Sequence, residues 1–161
     1  MQSQERKNNR ISTYDYGTPN CYSVTICTYQ KKKIFGEIIV GKLVNSLKLS
    51  EFGVTVQQEI KQVEEVFAGT TIENFVVMPN HLHILITITD EANCNLSNIV
   101  AYIKSKATKR PAKEFNYREK VWQDSFYDHI VTSQTDYLNE WQYIQNNPQN
   151  WQSDRFYDNR D

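Results

Sequence analysis

Alternation between apolar and polar positions organises this chain. Cys21-Tyr-Ser-Val-Thr-Ile-Cys-Thr-Tyr29 repeats with period two and is rich in β-branched and aromatic residues, which predicts a strand with one buried face. Ile72 to Met78 and His81 to Thr89 carry the strongest strand patterns, and the turn dipeptide Pro79-Asn80 between them predicts an antiparallel hairpin. A weaker hairpin is expected over residues 37 to 49, where Ile38 to Val40 and Leu43 to Leu49 flank Gly41-Lys42. Then the period changes: Val56, Ile60, Val63 and Phe67 recur every three to four residues, so a helix runs from a Ser50 cap through Phe67 and stops at Gly69. A second helix is expected from Leu96, capped by Asn95, through Ile99, Ile103 and Ala107 to Pro111 as the breaker, with a polar loop over 112 to 120. Phe126 to Thr132 reads as a further strand. Asp136 opens a last helix that ends at Asn147, because Pro148 disfavours helical dihedrals in the residue before it.

The order strand, helix, strand, strand, helix, strand, helix implies an α+β fold with helices packed on one antiparallel sheet. The first twenty residues are polar and carry Gly17, Thr18, Pro19 and Asn20, an arm ending in a turn. At 161 residues the chain is one domain's worth and long enough to bury a single core. It has no run of 18 apolar residues, and its polar start lacks the apolar stretch of a secretory signal, so a soluble cytoplasmic protein without a membrane partner is expected. Cys21, Cys27 and Cys94 are too few and too scattered for a disulfide framework or a paired-cysteine zinc site.

Charge complicates the functional picture. The net charge of -1 lacks the basic excess that phosphate neutralisation usually demands of nucleic-acid binders. Basic residues are nevertheless clustered: Lys31, Lys32 and Lys33 form one block, Lys104, Lys106, Lys109 and Arg110 another, away from the acidic stretch holding Glu59, Glu64 and Glu65. A basic face on a neutral protein is compatible with this distribution.

Two constellations carry chemistry. In a strand beginning His81-Leu82-His83, both imidazoles point to one face while Leu82, Ile84, Ile86 and Ile88 point to the other. Two adjacent neutral imidazoles suit a divalent cation, although paired histidines on a strand are more often hydrogen-bonded structural residues. Tyr143 and Asn147 are four apart on the last helix and share a face. If that face lies over the histidines, Asn147 offers a carbonyl oxygen as third ligand and Tyr143 a nucleophile. Spacing alone favours the plainer reading, in which Tyr143 packs on the sheet and Asn147 ends the helix.

The chain resembles the REP-associated tyrosine transposases, relatives of the single-tyrosine transposases of very small insertion elements and members of the histidine-hydrophobe-histidine (HUH) endonuclease class. The resemblance rests on Tyr14-Asp15-Tyr16, Ile34-Phe-Gly-Glu37, Leu49-Ser-Glu-Phe-Gly53, Asn74-Phe-Val-Val-Met-Pro-Asn-His-Leu-His83, Ile103-Lys-Ser-Lys-Ala-Thr108, Val121-Trp-Gln123, Tyr127-Asp-His-Ile130 and Tyr143-Ile-Gln-Asn-Asn-Pro148, in order along nearly the whole chain. It implies a ferredoxin-like palm, a prokaryotic, nucleoid-associated setting and cleavage of single-stranded DNA beside a hairpin from a palindromic repeat. It implies that His81 and His83 bind Mg2+ or Mn2+ and that Tyr143 attacks the scissile phosphate through a 5'-phosphotyrosine intermediate. Asn147 stands where relatives often carry a glutamine that completes the metal site. His129 lies in a family motif as a structural or DNA-contacting residue, and Lys104, Lys106, Lys109 and Lys31 to Lys33 are candidates for phosphate contacts. Relatives include monomers and homodimers that exchange the tyrosine helix. Two other functions fit the same residues: a non-catalytic nucleic-acid-binding module, and a metal hydrolase in which the histidines activate water.

Overall fold

In the computed structural model, which describes residues 20–160, the period-two segments pair into one four-stranded antiparallel sheet. Its strands are β1 (Asn20–Cys27), β4 (Thr70–Met78), β5 (His81–Ile88) and β6 (Tyr127–Ile130), in the spatial order β4-β5-β1-β6. The weaker hairpin forms a separate two-stranded sheet of β2 (Gly36–Ile39) and β3 (Ser46–Leu49). The helices are α1 (Glu51–Val66), α2 (Leu96–Glu114) and α3 (Gln134–Asn146). This is the expected α+β arrangement. Residues 1–19, which hold most of the expected arm and Tyr14 to Tyr16, lie outside the described residues.

Alternation along the strands separates two layers. Tyr22, Val24 and Ile26 of β1 and Leu82, Ile84, Ile86 and Ile88 of β5 are buried together with Val56, Ile60 and Val63 of α1 and Ile99, Ile103 and Ala107 of α2. Burying a side chain of this size contributes about 1.5–3 kcal/mol, so this apolar layer anchors the fold. The opposite sheet face carries the odd-numbered residues of β5 and lies under α3, whose Tyr143 ring sits 5.0 Å from that of His83.

Helix starts follow from local capping. Ser50 accepts from Gly53 N, and Asn95 and Asn98 exchange side-chain-to-backbone bonds as a capping box. Two expectations are corrected. Pro111 does not break α2, which continues to Glu114: its ring is buried, and its carbonyl accepts from the backbone N–H groups of Phe115 and Tyr117, securing the last turn despite the N–H that proline lacks. The polar loop therefore begins at residue 115. Nor does Asp136 open α3, since Ser133 is the cap and its hydroxyl oxygen accepts from Asp136 N at 3.1 Å. Asp136 is already inside the first turn, where a carboxylate is favoured by the helix dipole. Among the described residues no helix is long and apolar enough to cross a membrane.

Candidate active site

The site is assembled from one strand turn, one helix end and the segment that follows it. His81 opens β5 opposite Cys27, and His83 lies opposite Thr25, so both imidazoles rise from the centre of the sheet toward α3. They are buried, with relative exposures of 0% and 2%. Their Nε2 atoms converge to 3.0 Å. Asn80 in the hairpin turn determines how this pair is protonated. Its amide nitrogen donates to the carbonyls of Phe156 (2.9 Å) and Lys31 (3.4 Å), so its oxygen is the acceptor facing His81 Nδ1 at 2.7 Å. His81 therefore carries its proton on Nδ1 and turns a bare Nε2 toward His83. His83 Nδ1 is 2.7 Å from the Thr25 hydroxyl, which can donate or accept and so serves either tautomer.

Burial keeps both rings neutral. It lowers His81 to about 3, a shift opposed by the neighbouring Asn147 side chain and reinforced by the Arg155 charge. His83 is held well below the ordinary imidazole range by burial first, then by His81 and Arg155, against the pull of Asp154. Neutral rings with fixed Nδ1 partners are what imidazole ligands require, because the outer hydrogen bond orients the ring and selects the tautomer.

Tyr143 and Asn147 close over this pair in the same chain. Asn147 follows the last residue of α3 with helical dihedrals, so the four-residue spacing holds and both side chains reach the site. Tyr143 is 40% exposed, and its hydroxyl donates to Asp154 Oδ2 at 3.2 Å. Burial, then the Asp154 charge and the hydrogen bond to it, pushes the phenol up to about 12. Asn147 is buried, its amide nitrogen donates to the same Asp154 oxygen at 2.6 Å, and its own Oδ1 has no hydrogen-bond partner among the described residues. An orphaned buried oxygen is costly unless some group completes it.

Asp154 was not singled out from the sequence, yet ligand atoms of His81, His83 and Asp154 all lie within 4.8 Å of one another. Trp151 and Phe156 were missed as well: their ring centres are 6.0 and 4.8 Å from that of His81, and they roof the pair. A signal was present, for three aromatic residues in an otherwise polar tail (Trp151, Phe156 and Tyr157) are more than a solvated terminus needs. Beside the roof opens a cleft of about 510 Å3, whose lining includes Thr25, His83, Tyr127, His129, Glu140, Tyr143 and Arg155.

The lysine candidates are dispersed. Lys104, Lys106 and Lys109 ride on α2, across the sheet from the imidazoles. Lys104 is committed to the carbonyls of Gln123 (2.7 Å) and Ser125 (3.2 Å), and Lys106 lies 5.9 Å from the Tyr102 ring centre. Lys32 pairs with Glu119, while Lys33 sits 6.0 Å from the ring of Tyr157. His129 faces the cleft and its Nε2–H donates to Asp136 Oδ2 at 2.8 Å, within reach of Glu140.

Comparison with known proteins identifies the family of a chain that sets a tyrosine over a histidine pair on a four-stranded antiparallel sheet. Residues 22–147 match the family model described as "Transposase IS200 like". The chain belongs to this IS200-like transposase family. An uncharacterised protein of Haemophilus influenzae is 31% identical over 94% of this chain and 93% of its own length. A second protein of that organism, assigned as a REP-associated tyrosine transposase, is 32% identical over 45% of this chain and 46% of its own, in line with the resemblance read from the sequence. Among solved structures, a REP-associated tyrosine transposase bound to a REP hairpin is similar in fold, with a TM-score of 0.64 at 18% identity over 86% of this chain and 72% of that one. A protein of Deinococcus radiodurans described as a transposase gives 0.51 at 16% identity over 85% of this chain and 95% of its own.

Proposed function

We propose that this transposase cleaves and rejoins single-stranded DNA beside a hairpin, with Tyr143 as the nucleophile and His81 and His83 holding a divalent cation. The observation that carries the reading is the position of the Tyr143 phenol, partly open to a cleft and in ring contact with His83, in a chain whose relatives are transposases.

The donor set fits a divalent ion. His81 and His83, whose Nε2 atoms lie 3.0 Å apart, would hold it through nitrogen, and the unpartnered Asn147 oxygen and the Asp154 carboxylate would add oxygen ligands. Mg2+ or Mn2+ in that position would polarise a non-bridging oxygen of the phosphate. The residues of the chain do the rest. Asp154 Oδ2 accepts the hydrogen bond of the phenol and stands ready to receive its proton. The Tyr143 oxygen forms a bond to phosphorus, the bond from phosphorus to the 3' oxygen breaks, and the proton count closes on the released 3'-hydroxyl. One phosphodiester has become a 5'-phosphotyrosine of similar energy, so a different 3'-hydroxyl can reverse the step without a nucleotide cofactor. All the residues named come from one chain, which supports a site that keeps its own tyrosine helix. Lys106, Lys109, Lys31 and Lys33 are the remaining candidates for holding the flanking backbone.

The test uses labelled single-stranded DNA carrying a palindromic hairpin, incubated with Mg2+ or Mn2+. A denaturation-resistant protein-DNA adduct is expected, absent in Tyr143→Phe and after chelation. Cleavage that persists in Tyr143→Phe would point to a metal hydrolase, and binding without cleavage to a recognition module.

A further inference from the structure

The cleft beside Tyr143 has an electrostatic problem. A DNA strand reaching the phenol carries a negative charge on every phosphate, yet Asp128 and Glu140 line the same space and Asp154 sits behind the nucleophile. Among the described lining residues the single permanent cation is Arg155. Its guanidinium carbon lies 5.1 Å from the ring centre of Tyr127 and 4.6 Å from that of Phe156, and contacts of this kind hold a guanidinium in place without occupying its N–H donors. Among the described residues it has no hydrogen bond or ion pair that would use those donors.

We propose that Arg155 is a catalytic residue that grips the non-bridging oxygens of the phosphate attacked by Tyr143, the inference resting on the tyrosine-transfer reading above. During attack the phosphorus becomes five-coordinate and negative charge accumulates on those oxygens, and a preplaced guanidinium fork stabilises that charge more than it stabilises the bound ground state. The aromatic mounting explains why Tyr127 and Phe156 flank the cleft. It also sets a fixed cation in a cleft that holds the carboxylates of Asp128 and Glu140.

A structural role for Arg155, pinning the segment that roofs the histidines, predicts a different outcome, so the test must separate the two. Single-turnover rates of adduct formation are measured for wild type, Arg155→Ala and Arg155→Lys on the hairpin oligonucleotide. The cleavage phosphate is either a normal diester or a methylphosphonate, in which one charged oxygen is replaced by a methyl group. On the normal diester, Arg155→Ala is expected to be slower by about 10²–10³-fold, and Arg155→Lys to recover only a small part because a point charge lacks the two-pronged geometry. On the methylphosphonate the gap between wild type and Arg155→Ala is expected to shrink by about tenfold or more, since little charge is left to grip. A variant within about threefold of wild type on the normal diester overturns the assignment. So does an equal penalty on both substrates, which identifies a merely structural role. Wild-type protein that makes no adduct at all would instead refute the underlying tyrosine-transfer reading.

Discussion

Acidifying the metal-free protein from pH 7.5 to pH 5.0 should destabilise it by an amount that can be worked from the buried imidazoles. An unfolded histidine titrates near 6.5, whereas His81 in the fold titrates near 3. Its folded pKa is depressed, so the unfolded chain binds more protons throughout the window between those values, and stability falls as the pH falls through it. At pH 7.5 neither state is appreciably charged and the contribution is close to zero. At pH 5.0 the unfolded ring is almost fully protonated and the folded one is not, a difference of about 2 kcal/mol for His81 alone. His83 moves in the same direction. Against a total stability of roughly 5–15 kcal/mol this is a large share. Urea unfolding at both pH values, in chelator, measures it. His81→Asn should lose about 2 kcal/mol less than wild type between pH 7.5 and pH 5.0. If the two proteins lose stability in parallel, the ring is not buried neutral and the protonation scheme built on Asn80 fails.

Metal should act in the opposite sense. At pH 7.5, Mn2+ at about one hundred times its dissociation constant is expected to add about 2.7 kcal/mol, read as a rise in thermal midpoint that His83→Ala abolishes. An unchanged midpoint in wild type would remove the cation from the site. The lysines of α2 should divide: Lys104→Met is expected to cost about 2 kcal/mol of stability, because it strands the Gln123 and Ser125 carbonyls. Lys109→Ala should leave stability alone and lower the salt dependence of DNA binding by about one unit of log-log slope. Finally, Asp154→Asn removes the carboxylate charge that helps raise Tyr143. The phenol's titration, followed by ultraviolet difference against the same variant carrying Tyr143→Phe, should move down from about 12. Its staying put would mean that burial alone sets the value.

Much of this was legible in the residues because the deciding physics is local. Period-two alternation is a property of the strand itself, so the segregation of His81 and His83 from Leu82, Ile84 and Ile86 could be read directly. Ser50 and Asn95 announce helix starts because a short polar side chain satisfies an orphan N–H three residues on. The same local logic misjudged Pro111, where burial of the ring and backbone donors from beyond the helix end sustain another turn. It also favoured Asp136 over Ser133, two capping-type residues three apart that only hydrogen-bond geometry distinguishes.

What the amino-acid order determined by itself is therefore the strands and helices, the face on which the imidazoles lie, and the shared helical face of Tyr143 and Asn147. Tertiary structure decided the rest. It laid α3 on the imidazole side of the sheet, left α2 and its lysines on the other, and folded residues 151–156 back so that Trp151 and Phe156 roof the histidines while Asp154 meets the Tyr143 hydroxyl and Arg155 lines the cleft beside it. The reason is physical: side-chain direction within an element follows from backbone period, whereas which elements meet depends on long-range burial of aromatic surface and pairing of buried polar groups. Those interactions join residues as far apart as Asn80 and Phe156, and no local spacing records them.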